Sequence, residues 1–79
     1  MTTMNLSFHD VLRVELCDEY LQNDGMRRIR IVTSKGEQEM TFYGDTLHLT
    51  ALPRSDDFSA SEKQDDGTFI HRDAFGRIK

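Results

Sequence analysis

Between residues 28 and 50 apolar and polar side chains alternate with a period of two. Arg28-Ile29-Arg30-Ile31, Gln38-Glu39-Met40-Thr41-Phe42 and Thr46-Leu47-His48-Leu49-Thr50 each carry apolar groups on one side only. That is the pattern of strands with one buried and one solvated face. Reversals are expected around them at Asn23-Asp24-Gly25, Ser34-Lys35-Gly36, Tyr43-Gly44-Asp45 and Asp65-Asp66-Gly67, because Gly accepts positive φ and Asx residues tolerate it. The spacing of the first three suits short strands in a meander, not helices of ten or more residues.

Register follows from the turns. A Gly44-Asp45 turn pairs Phe42 with Leu47, Thr41 with His48 and Met40 with Leu49. A Lys35-Gly36 turn pairs Ile31 with Met40, Arg30 with Thr41, Ile29 with Phe42 and Arg28 with Tyr43. Both hairpins then set Ile29, Ile31, Met40, Phe42, Leu47 and Leu49 on one face, whereas a one-residue slip in either would mix the faces.

The first segment supports two readings. Ser7-Phe8-His9-Asp10 has the form of a helix capping box and Gly25 that of a C-terminal helix glycine. As a helix, Phe8, Val11, Leu12, Leu16 and Tyr20 would share their face with Glu15 and Glu19. As a strand, Leu12, Val14 and Leu16 point inward while Arg13, Glu15 and Cys17 point outward. Leu16 then lies near Ile31 and Glu19 opposes Arg28, which favours the strand. Asp10 breaks the inward row begun by Leu6 and Phe8, so a bend or bulge is expected near His9-Asp10.

The predicted fold is therefore mainly β, all-β or α+β: a small antiparallel β-meander, open or curled into a half-open barrel. Strands are placed near 11–17, 27–33, 38–43 and 46–51, within a core of residues 1–53. Residues 54–79 form a polar segment that either covers a sheet edge or stays mobile. Only Phe58 and Ala60 are apolar between 54 and 65, although Thr68-Phe69-Ile70-His71 could add a strand.

A chain of 79 residues is expected to be one domain. Fourteen acids against ten Lys and Arg give a net charge of −4. That balance argues against a general nucleic-acid binder, which carries a basic excess. No apolar run reaches the ~18–20 residues of a membrane span, and the start lacks the basic and apolar regions of a secretion signal. With Cys17 as the single cysteine, no internal disulfide forms, and a reducing cytoplasmic setting is expected.

The chemistry is sparse. His71-Arg72-Asp73 spells the kinase catalytic-loop triplet without the rest of that machinery. His9, His48, His71 and Cys17 have no compact ligand spacing, so no metal or other cofactor is expected. Asp56-Asp57 and Asp65-Asp66 lack calcium-loop spacing and read as solvated turn residues. Cys17 has neither a neighbouring His nor an orienting group, and no phosphate-cradling or hydrolase motif occurs.

The outer sheet face is the one candidate site. The register sets Arg28 beside Tyr43 and Thr46, and Arg30 beside Thr41 and His48. Guanidinium planes stack on rings and grip carboxylates or phosphates, so Arg28, Arg30, Tyr43 and His48 could hold a partner. The plainer reading is a solvated face whose arginines pair with Glu15, Glu19 and Glu39. The expected function is a non-catalytic protein-binding module, of the kind a phage or mobile element uses to inhibit a host defence or regulatory complex. A small nucleic-acid-binding barrel and a minor structural subunit of an assembly are the alternatives. The partner is another protein, and a homodimer through the exposed sheet edge is also expected.

Overall fold

A computed structural model describes residues 3–20 and 25–79 of the chain. Five strands form one sheet: β1 (Val11–Tyr20), β2 (Met26–Thr33), β3 (Gly36–Phe42), β4 (Arg54–Lys63) and β5 (Phe69–Arg72). Their order is β3-β2-β1-β4-β5. The sheet is mixed, since β4 runs parallel to β1 while every other neighbour is antiparallel. It does not close into a barrel. The mainly β class is as the polarity pattern predicts.

The β2–β3 hairpin turns at Ser34-Lys35, and its register is regular: Ile29 faces Met40, Arg30 faces Glu39, Arg28 faces Thr41 and Arg27 faces Phe42. Each pair is displaced by two residues from the expected register. A slip of two preserves the faces, so Ile29, Ile31 and Met40 still share one side. It carries Phe42 beyond the apolar centre, where it is 36% exposed.

Residues 11–20 are a strand, not a helix, and two irregularities shape it. The ladder with β2 shifts between Val11 and Arg13, and again between Leu16 and Asp18. Asp10 at φ 58 forms the bend expected at the start. The first shift leaves Leu12 66% exposed, so the inward row is Val14 and Leu16 only. The second makes Cys17 an extra residue in the ladder and moves the charged pairs by one: Asp18 faces Arg28 and Glu19 faces Arg27. The expected turn at Asn23-Asp24-Gly25 lies outside the described residues except for Gly25, which has φ 73.

Residues 46–51 are not a strand. Leu47–Ala51 is a 3-10 helix, with Leu49 N–H donating to the Thr46 carbonyl and Leu52 N–H to the Leu49 carbonyl. The alternation that suggested a strand serves another geometry here. At three residues per turn Leu49 and Leu52 project alike, and both pack on the apolar face, while Leu47 is exposed. This segment crosses the sheet from β3 to β4 on that face.

The polar segment after Pro53 supplies two strands. The Pro53 carbonyl accepts the Leu16 N–H at 2.8 Å, and β4 continues along the free side of β1. Its register jumps between Leu16–Arg54 and Asp18–Ser59. Phe58, within that jump, is the largest fully buried side chain and completes a core with Leu16, Ile29 and Ile31. Phe8, Val14, Met40, Leu49, Leu52, Ala60 and Ala74 surround it. The β4–β5 turn is closed by Asp66, whose carboxylate accepts the Thr68 N–H and hydroxyl. The chain is 18 Å thick along its shortest axis, consistent with one sheet carrying cover on one face.

Candidate functional site

The second face of the sheet is built from the polar half of each alternation. Arg28 and Arg30 project from β2, Glu37, Glu39 and Thr41 from β3, Asp18 from β1 and Asp57 from β4. Arg30 is the centre. Its guanidinium meets Asp57 through two hydrogen bonds, at 3.0 and 3.1 Å, and Glu39 through two more, at 3.1 and 3.3 Å. Glu37 lies 3.9 Å away. Arg30 thus links β2 to β3 on one side and reaches over β1 to β4 on the other.

These contacts set the electrostatics. The bonds to Asp57 and then Glu39 raise the Arg30 pKa further above its ordinary value. The Arg30 bonds, helped by the Ser55 hydroxyl at 2.7 Å, hold the Asp57 carboxyl down to about 2. Asp57 is therefore a strand residue with a fixed partner, not the solvated turn residue expected. Arg28 is held by Asp18 at 2.9 Å and the Thr41 hydroxyl at 3.1 Å. The arginines pair with Asp18, Asp57 and Glu39, where Glu15, Glu19 and Glu39 were expected. Arg13 takes Glu15, and Arg27 takes Glu19.

The expected cluster is only half assembled. Arg28 and Arg30 do alternate on one face, but the strand that was to bring His48 beside them is the 3-10 helix, and Arg28 faces Thr41 instead of Tyr43. Tyr43 follows the end of β3 and is 77% exposed. Thr46 lies elsewhere altogether. It is buried, accepts Arg27 Nη1 at 2.9 Å and donates to the Gly25 carbonyl.

Cys17 corrects a further expectation. Although it sits in the outward row, it is buried, and its thiol donates to the Arg28 carbonyl at 3.3 Å. The extra residue in the β1 ladder turns it in among Arg28, Arg30, Asp18 and Glu39. Burial, and then Asp18, push its pKa up. It is a protected thiol, where an outward-pointing one was expected.

Two features were not read from the sequence. One is the Ser61–His71 pair, where the hydroxyl lies 2.9 Å from Nδ1 across the β4–β5 ladder. Ten residues separate the two, and only the unforeseen hairpin brings them together. His71 is exposed, and among the described residues no third group hydrogen-bonds its imidazole to orient it, as nucleophilic activation requires. The other is the free margin of β3. Among the described residues no strand pairs with its outer side, whereas β5 is bridged by Ile78 at Arg72.

Among the described residues no group of three His, Cys, Asp or Glu is placed to hold a metal ion, and no pocket is present. No described helix is long and apolar enough to cross a membrane. No family model matches the chain, and no curated protein or solved structure matches it.

Proposed function

We propose that this chain is a non-catalytic protein-binding module, engaging its partner at the β3 margin of the sheet. The observation that carries the reading is the company that margin keeps. β3 ends in Phe42, with Tyr43 and Leu47 just beyond, and all three large apolar side chains are exposed. Apolar surface beside an unpaired strand edge is the usual mark of an interaction site. An inhibitor of a host defence or regulatory complex, encoded by a phage or mobile element, is the specific form we favour; a small single sheet can cap a larger assembly with little chain.

The charged face weighs against the nucleic-acid alternative. Arg28 and Arg30 already spend their hydrogen-bonding forks on Asp18, Glu39 and Asp57, so a phosphate would have to displace carboxylates. Affinity purification from the native host tests the proposal. The wild-type chain should recover a protein partner that the Tyr43→Asp/Leu47→Asp variant does not, with both proteins folded by circular dichroism. Submicromolar, salt-sensitive binding to single-stranded DNA or RNA, without a protein partner, would overturn it.

A further inference from the structure

The two margins of the sheet are treated differently by the chain. At β5 the carboxyl-terminal turn folds back: Ile78 bridges Arg72, and the Lys79 N–H donates to the His71 carbonyl at 2.8 Å. At β3 the ladder is seven residues long and regular throughout. It contains no Pro, no Lys and no bulge, the devices that normally blunt an exposed edge. What it does contain is charge of one sign. Glu37 and Glu39 alternate on the outer face, while Met40 and Phe42 lie on the other. Glu37 and Glu39 of this margin have Arg30 as their cation, and Arg30 is shared with Asp57 of the distant β4, so the two glutamates stay incompletely balanced.

We infer that the β3 edge accepts an extended segment of another protein in which Lys or Arg recurs at every second position. Such a segment adds a strand through main-chain hydrogen bonds, its cations meet Glu37 and Glu39, and its intervening apolar residues meet Met40 and Phe42. A second copy of this chain fits worse. Twofold pairing keeps like faces together, so only residues of the same parity oppose each other. A register centred on residue 38 sets Glu37 against Glu39, and one centred on 37 or 39 sets that glutamate against its own copy; like charges directly opposed destabilise a pair. The inference names the partner chemistry of the binding module proposed above and rests on that reading.

The test uses the full chain, labelled with nitrogen-15, and three synthetic octapeptides: Lys alternating with Val, the same residues in two blocks, and Glu alternating with Val. The alternating Lys peptide should shift the amide signals of Gly36–Phe42 and slow their hydrogen exchange, and the other two should do neither. Glu37→Lys should weaken that binding about three- to tenfold, from one attraction replaced by one repulsion. This variant leaves the close Arg30 contacts to Glu39 and Asp57 in place, and Glu37→Gln should give a smaller loss. Shifts outside β3, equal binding of the blocked peptide, or no shift at millimolar peptide would overturn the inference. So would a dimer in sedimentation that protects the β3 amides of the free protein. A host partner retained by Glu37→Lys but lost by Tyr43→Asp/Leu47→Asp would reject the edge inference and keep the module. A host partner lost by neither, with no peptide bound, would reject both.

Discussion

Arg30 and Asp57 are joined by two parallel hydrogen bonds, 3.0 and 3.1 Å long, although β1 runs between the strands that carry them. The pair fastens β4 to β2 where the β1–β4 ladder is interrupted. Bidentate geometry makes it stronger than most surface ion pairs, but Asp57 is largely exposed and the gain stays below about 1 kcal/mol.

The same pair predicts a pH dependence. Folding lowers the Asp57 carboxyl from its ordinary 3.8 to about 2. The unfolded chain therefore takes up this proton first as pH falls, and the stabilisation, complete above the ordinary value, is lost on the way down to about 2. Asp57→Asn should be less stable than wild type at pH 6, and the difference should close between pH 4 and pH 2. Thermal melts of both proteins across that range check it. A difference that does not change with pH would sink the assignment.

Core truncation should reverse the ranking of two phenylalanines that the polarity pattern implies, with Phe42 in the core and Phe58 in a polar segment. Phe58 is fully buried, so Phe58→Ala should cost about 3–5 kcal/mol, enough to unfold much of a domain this small. Phe42→Ala, at a half-open margin, should cost about 1 kcal/mol, as an average substitution does. Urea titrations would show the order, and a reversed order would place β4 outside the core.

Glu19 and Arg27 form a buried ion pair at 2.7 Å, completed by Thr46. Glu19→Ala leaves the guanidinium buried with its charge uncompensated and should destabilise by about 3–5 kcal/mol. Replacing both residues, Glu19→Leu with Arg27→Met, should recover most of that loss. Denaturation of Glu19→Leu, Arg27→Met and the double variant measures the coupling. Additive losses would show that the two side chains act separately.

The Cys17 thiol should resist modification. It is buried, its pKa is raised, and the thiolate is the reactive form. Reaction with an aromatic disulfide reagent at pH 8 should proceed at the rate of protein opening and become fast in denaturant. Immediate reaction of the native protein would mean that the outward row of β1 is open at this point.

The polarity pattern made the β2–β3 hairpin and its faces legible because a period of two survives any even slip in register. Its register was not legible, since the turn at Ser34-Lys35 begins one residue earlier than the Gly36 signal suggests. The 3-10 helix was hidden for a related reason: Leu49 and Leu52 satisfy a three-residue spacing that the alternation Leu47, Leu49 masks. β4 carried almost no signal. Its residues are polar, and it is held by backbone pairing to β1, by Phe58 and by Asp57, none of which a local pattern reveals. The candidate site suffered in turn. Arg28 and Arg30 were correctly set on one face, but their partners Asp18 and Asp57 depend on a bulge and on a distant strand.

The parallel pairing of β1 with β4 also orders the events of folding. The β1-β2-β3 meander closes through neighbours in sequence, whereas β4 can dock only after the crossover has spanned the sheet, at a larger loop-closure cost. Until then the apolar side of Leu16 and Ile31 stays wet. Substitutions at Phe58 or Asp57 should therefore act mainly on the unfolding rate, and those at Ile29 on the folding rate.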